Sequence, residues 1–270
     1  MSNQVKLFVV EGESRERRFL DWMIKCFFRG KYSTKIISLS AAQNIYMLYQ
    51  LLKTDDFDSD LVEVLRDNVP GAGDVLEGIS RQDISEIYMF FDYDVQQNNL
   101  SVEDGNISAD ELLNELLVAF DNETDNGKLY LSYPMSEALY DYKDNMCQAF
   151  SSCFVSVNQI DCYKTVSGTD NPKASLHLDI ADWEDILNIF ILRVKCLFAF
   201  EQLGFDLYKS AINPVSIMDK QCSLKEEKNE IFVLSAFPEF ILDYFKLDFW
   251  SSMIKRNKYS YDYCIKQIDR

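Results

Sequence analysis

The sequence predicts an α/β fold, a mostly parallel sheet flanked by helices and followed by a helical C-terminal region. Three observations carry this. Short apolar runs of strand character at 5–10, 34–38, 87–91 and 129–132 alternate with helical patterns, as parallel βαβ units require. The first and third of these runs end in acidic residues, Glu11 and Asp92. Beyond about residue 175 the strand runs give way to long helical patterns.

Each element has a local reason. Residues 5–10 alternate little and are rich in Val, Leu and Phe, as a strand buried on both faces should be. Gly12 permits a tight turn, and Ser14 is placed to cap a helix running to about Phe28. A strand at 34–38 and a helix at 41–53 follow. Thr54 to Asp60 holds four aspartates but lacks the glycine and terminal Glu of a calcium loop, so it reads as a solvated loop. Pro70 to Gly73 marks a turn. The third strand, 87–91, leads into a polar loop at 96–106. A helix capped by Ser108 or Asp110 then ends near Phe120. Asp121 to Gly127 is a turn, 129–132 a fourth strand, and Pro134 suits the first position of a further helix. Asp179 to Leu203 reads as one long helix, and Leu224 to Phe245 as helical with a break near Pro238. Two domains result, 1–175 and 176–270.

Composition narrows the function classes. The 270 residues are long enough for a large core. The formal net charge of −17 opposes unaided binding to duplex nucleic acid, which ordinarily needs a basic stripe. Seven cysteines, scattered and without a C-x-x-C pair, fit neither a zinc ribbon nor a disulfide framework and read as reduced, mostly buried thiols. No secretory signal is visible, and the most apolar stretch, 186–200, is interrupted by Arg193 and Lys195 and too short to span a bilayer. A soluble, cytoplasmic, bacterial protein without membrane association is expected. The sequence has no P-loop run and no nucleophile elbow, and its one histidine, His177, makes neither a triad nor a zinc site and reads as structural. Lys195, in mid-helix, reads as snorkelling or meeting a carboxylate.

Chemistry concentrates in the acidic residues. Glu11 closes the first strand, and Asp92 and Asp94 stand two apart at the end of the third. If that segment is extended, both aspartates project to one side. Ligands of α/β sheets bind outside the carboxyl ends of the strands. Hard oxygen donors gathered there suit Mg²⁺ or Mn²⁺. Arg15, Arg17 and Arg18 open the following helix, where cations oppose the dipole. They read either as steering substrate phosphates or as a solvated, salt-bridged face.

Phe8-Val-Val-Glu-Gly12 together with Phe90-Phe-Asp-Tyr-Asp94 resembles the Toprim domain, over roughly residues 5 to 140. Topoisomerases, primases, small ribonucleases and the overcoming-lysogenisation-defect nucleases share that domain. The resemblance implies a Rossmann-like sheet in which one Glu and a D-x-D pair hold Mg²⁺ for phosphodiester chemistry. Leu131-Ser-Tyr-Pro-Met-Ser-Glu-Ala138 is similar to a segment of the Toprim proteins of bacterial phage defence, including RloB-like proteins and the ATPase-partnered effectors of AbiL and PARIS systems. It implies that Glu137 completes the acidic site. Arg15 stands where many overcoming-lysogenisation-defect nucleases place a second acid, with Glu13 and Glu16 nearby, which puts a second metal in doubt.

The expectation is a Mg²⁺- or Mn²⁺-dependent Toprim endonuclease, a toxic effector of an anti-phage, abortive-infection system. Its catalytic and metal-binding residues would be Glu11, Asp92, Asp94 and Glu137. Its substrate would be RNA of the tRNA type or DNA, and its partner a separately encoded ABC or SMC-like ATPase. The aromatic-rich stretch from Phe237 to Trp250 is expected to dock that partner or form a homodimer. The alternative is a non-catalytic Toprim-fold module that binds an ATPase or a phage trigger. A third expectation, a housekeeping Toprim ribonuclease, would act alone on a structured RNA.

Overall fold

The computed structural model describes residues 4–12, 14–28, 32–39, 44–93, 107–141, 153–169 and 177–254. These residues fall into two compact units. One holds the chain up to Phe91 and from Ile107 to Tyr130. The other holds Asp92, Tyr93 and the chain from Leu131 onward.

The first unit is built on a five-stranded sheet of order β2-β1-β3-β5-β4. Strand β1 (Val5–Glu11) is central and buried from Val5 to Val10, as its unbroken apolar run requires. It pairs in parallel with β2 (Ser33–Leu39) on one side and β3 (Ile84–Asp92) on the other. Strand β5 (Gly127–Ser132) adjoins β3, and the short β4 (Asp121–Asn122) is its antiparallel hairpin mate. The β3–β5 pair is parallel too. Gly127 lies against Ile87, and three residues further along both strands Phe90 stacks on Tyr130, centroids 5.7 Å apart.

Gly127 illustrates how tight this packing is. A Cβ there would stand 3.3 Å from the Ile87 side chain, and the backbone sits at φ +112°. Only glycine adopts that conformation without strain.

Helix α1 (Arg15–Phe27) packs against β1 and buries Phe19, Leu20, Trp22, Met23 and Phe27. Ser14 occupies its cap position, but its hydroxyl makes no capping bond. Helix α2 (Ile45–Lys53) is capped by the Asn44 side chain, which accepts from the Met47 amide at 3.2 Å. Part of the expected acidic loop instead starts a helix: Asp60 accepts from the Val62 amide at 2.9 Å and opens α3 (Leu61–Asn68). A single turn, α4 (Ala72–Val75), follows. Helix α5 (Ala109–Ala119) begins at Ser108, which forms a reciprocal capping box with Glu111.

The second unit is mainly helical. Strand β6 (Phe154–Ser156) precedes α6 (Ile160–Thr169), α7 (Ile180–Leu197), α8 (Phe205–Ala211) and α9 (Pro214–Lys228). Strand β7 (Glu230–Phe232) and α10 (Ala236–Ile254) follow. β6 and β7 pair antiparallel. From Ile186 to Cys196 every residue of α7 is buried, so the helix is a core element rather than an amphipathic surface one. Gln221 of α9 bonds both the N–H and the C=O of Phe232, at 2.9 and 2.8 Å, which ties β7 to the helix as well as to β6. The expected break near Pro238 lies earlier, at β7; Pro238 sits in the first turn of α10, where proline is tolerated.

Three further expectations are corrected. Pro134 does not open a helix: the Tyr133–Pro134 bond is cis, and a 3₁₀ turn over Ser136–Leu139 follows it. Lys195 does not snorkel; it is 1% exposed. The thiols are not mostly buried: of the five described, Cys153 and Cys196 are buried, Cys26 and Cys222 half-buried, and Cys162 exposed.

The β1–β3 register is pinned at the amino end of the pair. Val5 faces Ile84, then a bulge at Ser85 shifts the pairing so that Lys6 faces Glu86. The Ser85 hydroxyl donates to the Val5 carbonyl at 3.2 Å. Lys6, 3% exposed, forms an ion pair with Glu86, which also accepts from the Tyr88 hydroxyl at 2.8 Å. The Lys6 ammonium lies 4.4 Å from the Tyr32 ring centroid. Lys6 is buried but Glu86 is half-buried and keeps its Tyr88 bond, so removing Lys6 leaves a carboxylate that water still partly reaches. Lys6→Ala is therefore expected to lower unfolding stability by about 2 kcal/mol in urea titrations. The double variant Lys6→Met with Glu86→Leu should recover most of that loss; equal stability of Lys6→Ala and wild type would contradict the pairing.

Candidate functional site

The acidic residues occupy strand ends, and the register sets where. Pairing continues to Val10 opposite Phe90. Glu11 follows Val10 directly as the last residue of β1, and Asp92 closes β3 two residues past Phe90. Both are half-buried, in contrast to the buried apolar residues before them. Strand alternation assigns Glu11 to the pleat of Leu7 and Val9, and Asp92 to that of Tyr88 and Phe90. The two carboxylates thus leave their strands from opposite pleats.

Gly12 ends β1. Its φ of +90° turns the chain away from the sheet, and a Cβ there would stand 2.6 Å from a carboxylate oxygen of Glu16. Helix α1 starts three residues later with Arg15 half-buried and Arg17 and Arg18 exposed. The Arg18 guanidinium lies 5.4 Å from the Trp22 ring centroid.

Asp94 lies outside the described residues, as does Glu13. Tyr93, just before Asp94, is tied to the end of β5: its amide donates to the Ser132 carbonyl at 2.9 Å. Tyr93 is fully buried and packs on Tyr133, ring centroids 5.1 Å apart.

Glu137 belongs to the 3₁₀ turn that follows the end of β5. It is 2% exposed, and the Ser136 hydroxyl donates to it at 3.3 Å. A buried carboxylate on a short turn is costly to desolvate, which sets Glu137 apart from the many surface acids of this chain. The sequence pattern marked this residue only through the resemblance; in the structure it is buried together with the next three residues, Ala138, Leu139 and Tyr140.

Among the described residues, no group of three or more His, Cys, Asp or Glu stands together in a geometry that could hold a metal ion. The structure thus places Glu11 and Asp92 at the carboxyl ends of neighbouring parallel strands and Glu137 on a buried turn. His177 is exposed, two residues ahead of the Asp179 cap of α7. No described helix is long and apolar enough to cross a membrane.

A separate open depression in the first unit is lined by residues including Lys53, Phe57, Asn114, Glu115 and Val118, and holds none of the predicted ligands. Glu115 accepts from Lys53 at 2.9 Å and from the Tyr49 hydroxyl at 2.8 Å. The Lys53 hydrogen bond, then that of Tyr49, hold the Glu115 carboxyl below its ordinary range.

No family model matches the chain, and no curated protein or solved structure is significantly similar to it.

Because the folded pKa of Glu115 is depressed, its contribution to stability is complete above the ordinary value of 4.5. It is lost as pH falls through the lower folded value. The stability gap between wild type and Glu115→Gln should be open at pH 7 and close under acid. Urea midpoints measured across that range check this, and a gap that widens on acidification would contradict it.

Proposed function

We propose that this chain is a divalent-metal-dependent Toprim endonuclease, with Glu11, Asp92, Asp94 and Glu137 as its acidic residues. The observation that carries the reading is the parallel β1–β3 pair, whose neighbouring strands both finish in a carboxylate at the edge where α/β sheets bind ligands. Half-buried carboxylates suit Mg²⁺ or Mn²⁺, which take oxygen donors while keeping several waters. Glu11 and Asp92 would be the strand-end residues that hold the ion, each supplying a carboxylate oxygen.

When bound, such an ion polarises the scissile phosphate and neutralises charge that a protein of net −17 cannot. Asp92 and Asp94 would be the residues that hold that ion. Glu11 either ligates as well or serves as general acid and base. Glu137, shielded from bulk water, ligates or orients the attacking water. Arg17 and Arg18, exposed on the helix that follows Gly12, and half-buried Arg15 would meet flanking phosphates or form a solvated, salt-bridged face. The substrate class is RNA of the tRNA type, with DNA second. The biological setting is cytoplasmic phage defence in bacteria, with the nuclease as toxic effector beside a separate ATPase that supplies the P-loop this chain lacks.

A second reading is a non-catalytic module of the same fold that binds an ATPase or a phage trigger. Arg15 favours it, because a cation occupies the position where many overcoming-lysogenisation-defect nucleases, which the chain resembles, place a second acid.

The test is cleavage of total RNA and of plasmid by purified protein with Mn²⁺ or with EDTA. Cleavage should require the metal, and Glu11→Gln or Asp92→Asn should each reduce it at least about 100-fold. Both substitutions sit at half-buried strand ends, so their urea midpoints should stay within about 1 kcal/mol of wild type. Undiminished cleavage by either variant, or none of either substrate by wild type, would reject the nuclease and leave the binding module.

A further inference from the structure

The buried arginine of α7 has no part in the site described so far. Arg193 is 3% exposed and lies in the wholly buried stretch of the helix. A guanidinium carries five donors in a rigid fork and is costly to bury unless those donors meet acceptors. Here two arms of the fork reach backbone carbonyls from different parts of the second unit. One nitrogen donates to the Val233 carbonyl at 3.0 Å, just past β7, and the other to the Asp141 carbonyl at 2.5 Å, just past the turn that carries Glu137.

Everything around that fork converges on the same turn. The Tyr163 hydroxyl of α6 donates to the Asp141 carboxylate at 3.2 Å. Burial, then the Asp141 charge, push the Tyr163 phenol well above its ordinary range, so the hydroxyl keeps its proton and remains a donor. Tyr163, Ala138 and Val233 form one buried apolar cluster, with Met135 and Val155 against it. The strand leading into the turn is tied as well: Tyr133 and Leu234 exchange two backbone bonds, of 2.7 and 2.9 Å. The turn's own backbone bonds are Ala138 to Met135 at 2.9 Å, Tyr140 to Glu137 at 2.9 Å and a longer one from Asp141 to Ala138 at 3.2 Å. Hydrogen bonds of a 3₁₀ turn have poorer geometry than those of an α-helix, so bonds from outside add to its hold.

We propose that Arg193 is a positioning residue for Glu137: its guanidinium clamps the carbonyl of Asp141 to that of Val233, with Tyr163 bracing Asp141, and so holds the Glu137 turn in one place. The clamp stands on the contacts above, and its consequence for metal chemistry rests on the assignment of Glu137 under the proposed function. Lysine cannot replace it, since a single ammonium lacks the fork that spans two carbonyls.

Two readouts on the full chain separate the clamp from that assignment. Hydrogen exchange followed by mass spectrometry reads the turn directly. Arg193→Met should raise exchange over 136–141 at least about tenfold, while the β1 and β3 amides keep wild-type rates. Tyr163→Phe, a gentler change, should raise it severalfold, and Arg193→Lys should behave like Arg193→Met. The second readout is the Mn²⁺ concentration for half-maximal cleavage, expected to rise about 10- to 100-fold in Arg193→Met, the usual effect of losing a group that orients a metal ligand. Wild-type exchange over 136–141 in Arg193→Met, or in Tyr163→Phe should Arg193→Met fail to fold, overturns the clamp. A loosened turn with an unchanged metal requirement overturns its role in positioning Glu137. Metal-independent or absent cleavage in wild type overturns that role together with the nuclease reading, while the exchange rates still decide the clamp.

Discussion

The parallel pairing of β1 with β3 in one register is the constraint on which the rest depends. A one-residue slip moves every side chain of a strand to the other face, so a buried strand tolerates only one alignment. Here Lys6 and Glu86 lock the amino end, and the bulge at Ser85 supplies the offset that brings them opposite each other. From that pair the alternation runs through Phe8 stacked on Tyr88, centroids 5.6 Å apart, and through Val10 opposite Phe90. The last residues, Glu11 and Asp92, follow from the same register that the buried run and the Lys6–Glu86 pair hold along the two strands.

The strands were legible in the sequence because burial on both faces leaves an unbroken apolar run, and β1 and β3 show it plainly. Their order in the sheet was not, since no residue pattern states which strands adjoin. Helix α3 was hidden because its cap, Asp60, is one of four aspartates in a tract that reads as solvent-facing loop. The strands β6 and β7, three residues each, are too short for any period to appear, and β7 is held by Gln221, a contact across helix and strand that composition does not reveal. Pro134 suits the first position of a helix, but here it follows Tyr133, which is held in an antiparallel bridge to Leu234, a long-range pairing that no local pattern reveals.

Of the candidate site, the sequence marked Glu11 and Asp92 by their place at the ends of apolar runs, a purely local signal. It gave no hint that they depart from opposite pleats, because that depends on the register and its bulge. Arg193 appeared only as an interruption of an apolar stretch. Its meaning lies in two carbonyls, at Asp141 and Val233, that are remote in sequence from it and from each other. Buried polar groups of this kind are costly unless satisfied, so their partners tell more than their position along a helix.

The most direct test of the central claim is anomalous diffraction from Mn²⁺-soaked crystals of the full chain. The account predicts a Mn²⁺ peak beyond the carboxyl ends of β1 and β3, with carboxylate oxygens of Glu11 and Asp92 about 2.1 Å away, a coordination distance typical of small hard divalent ions. A well-occupied Mn²⁺ site remote from both residues, with neither carboxylate bound to metal, would contradict it.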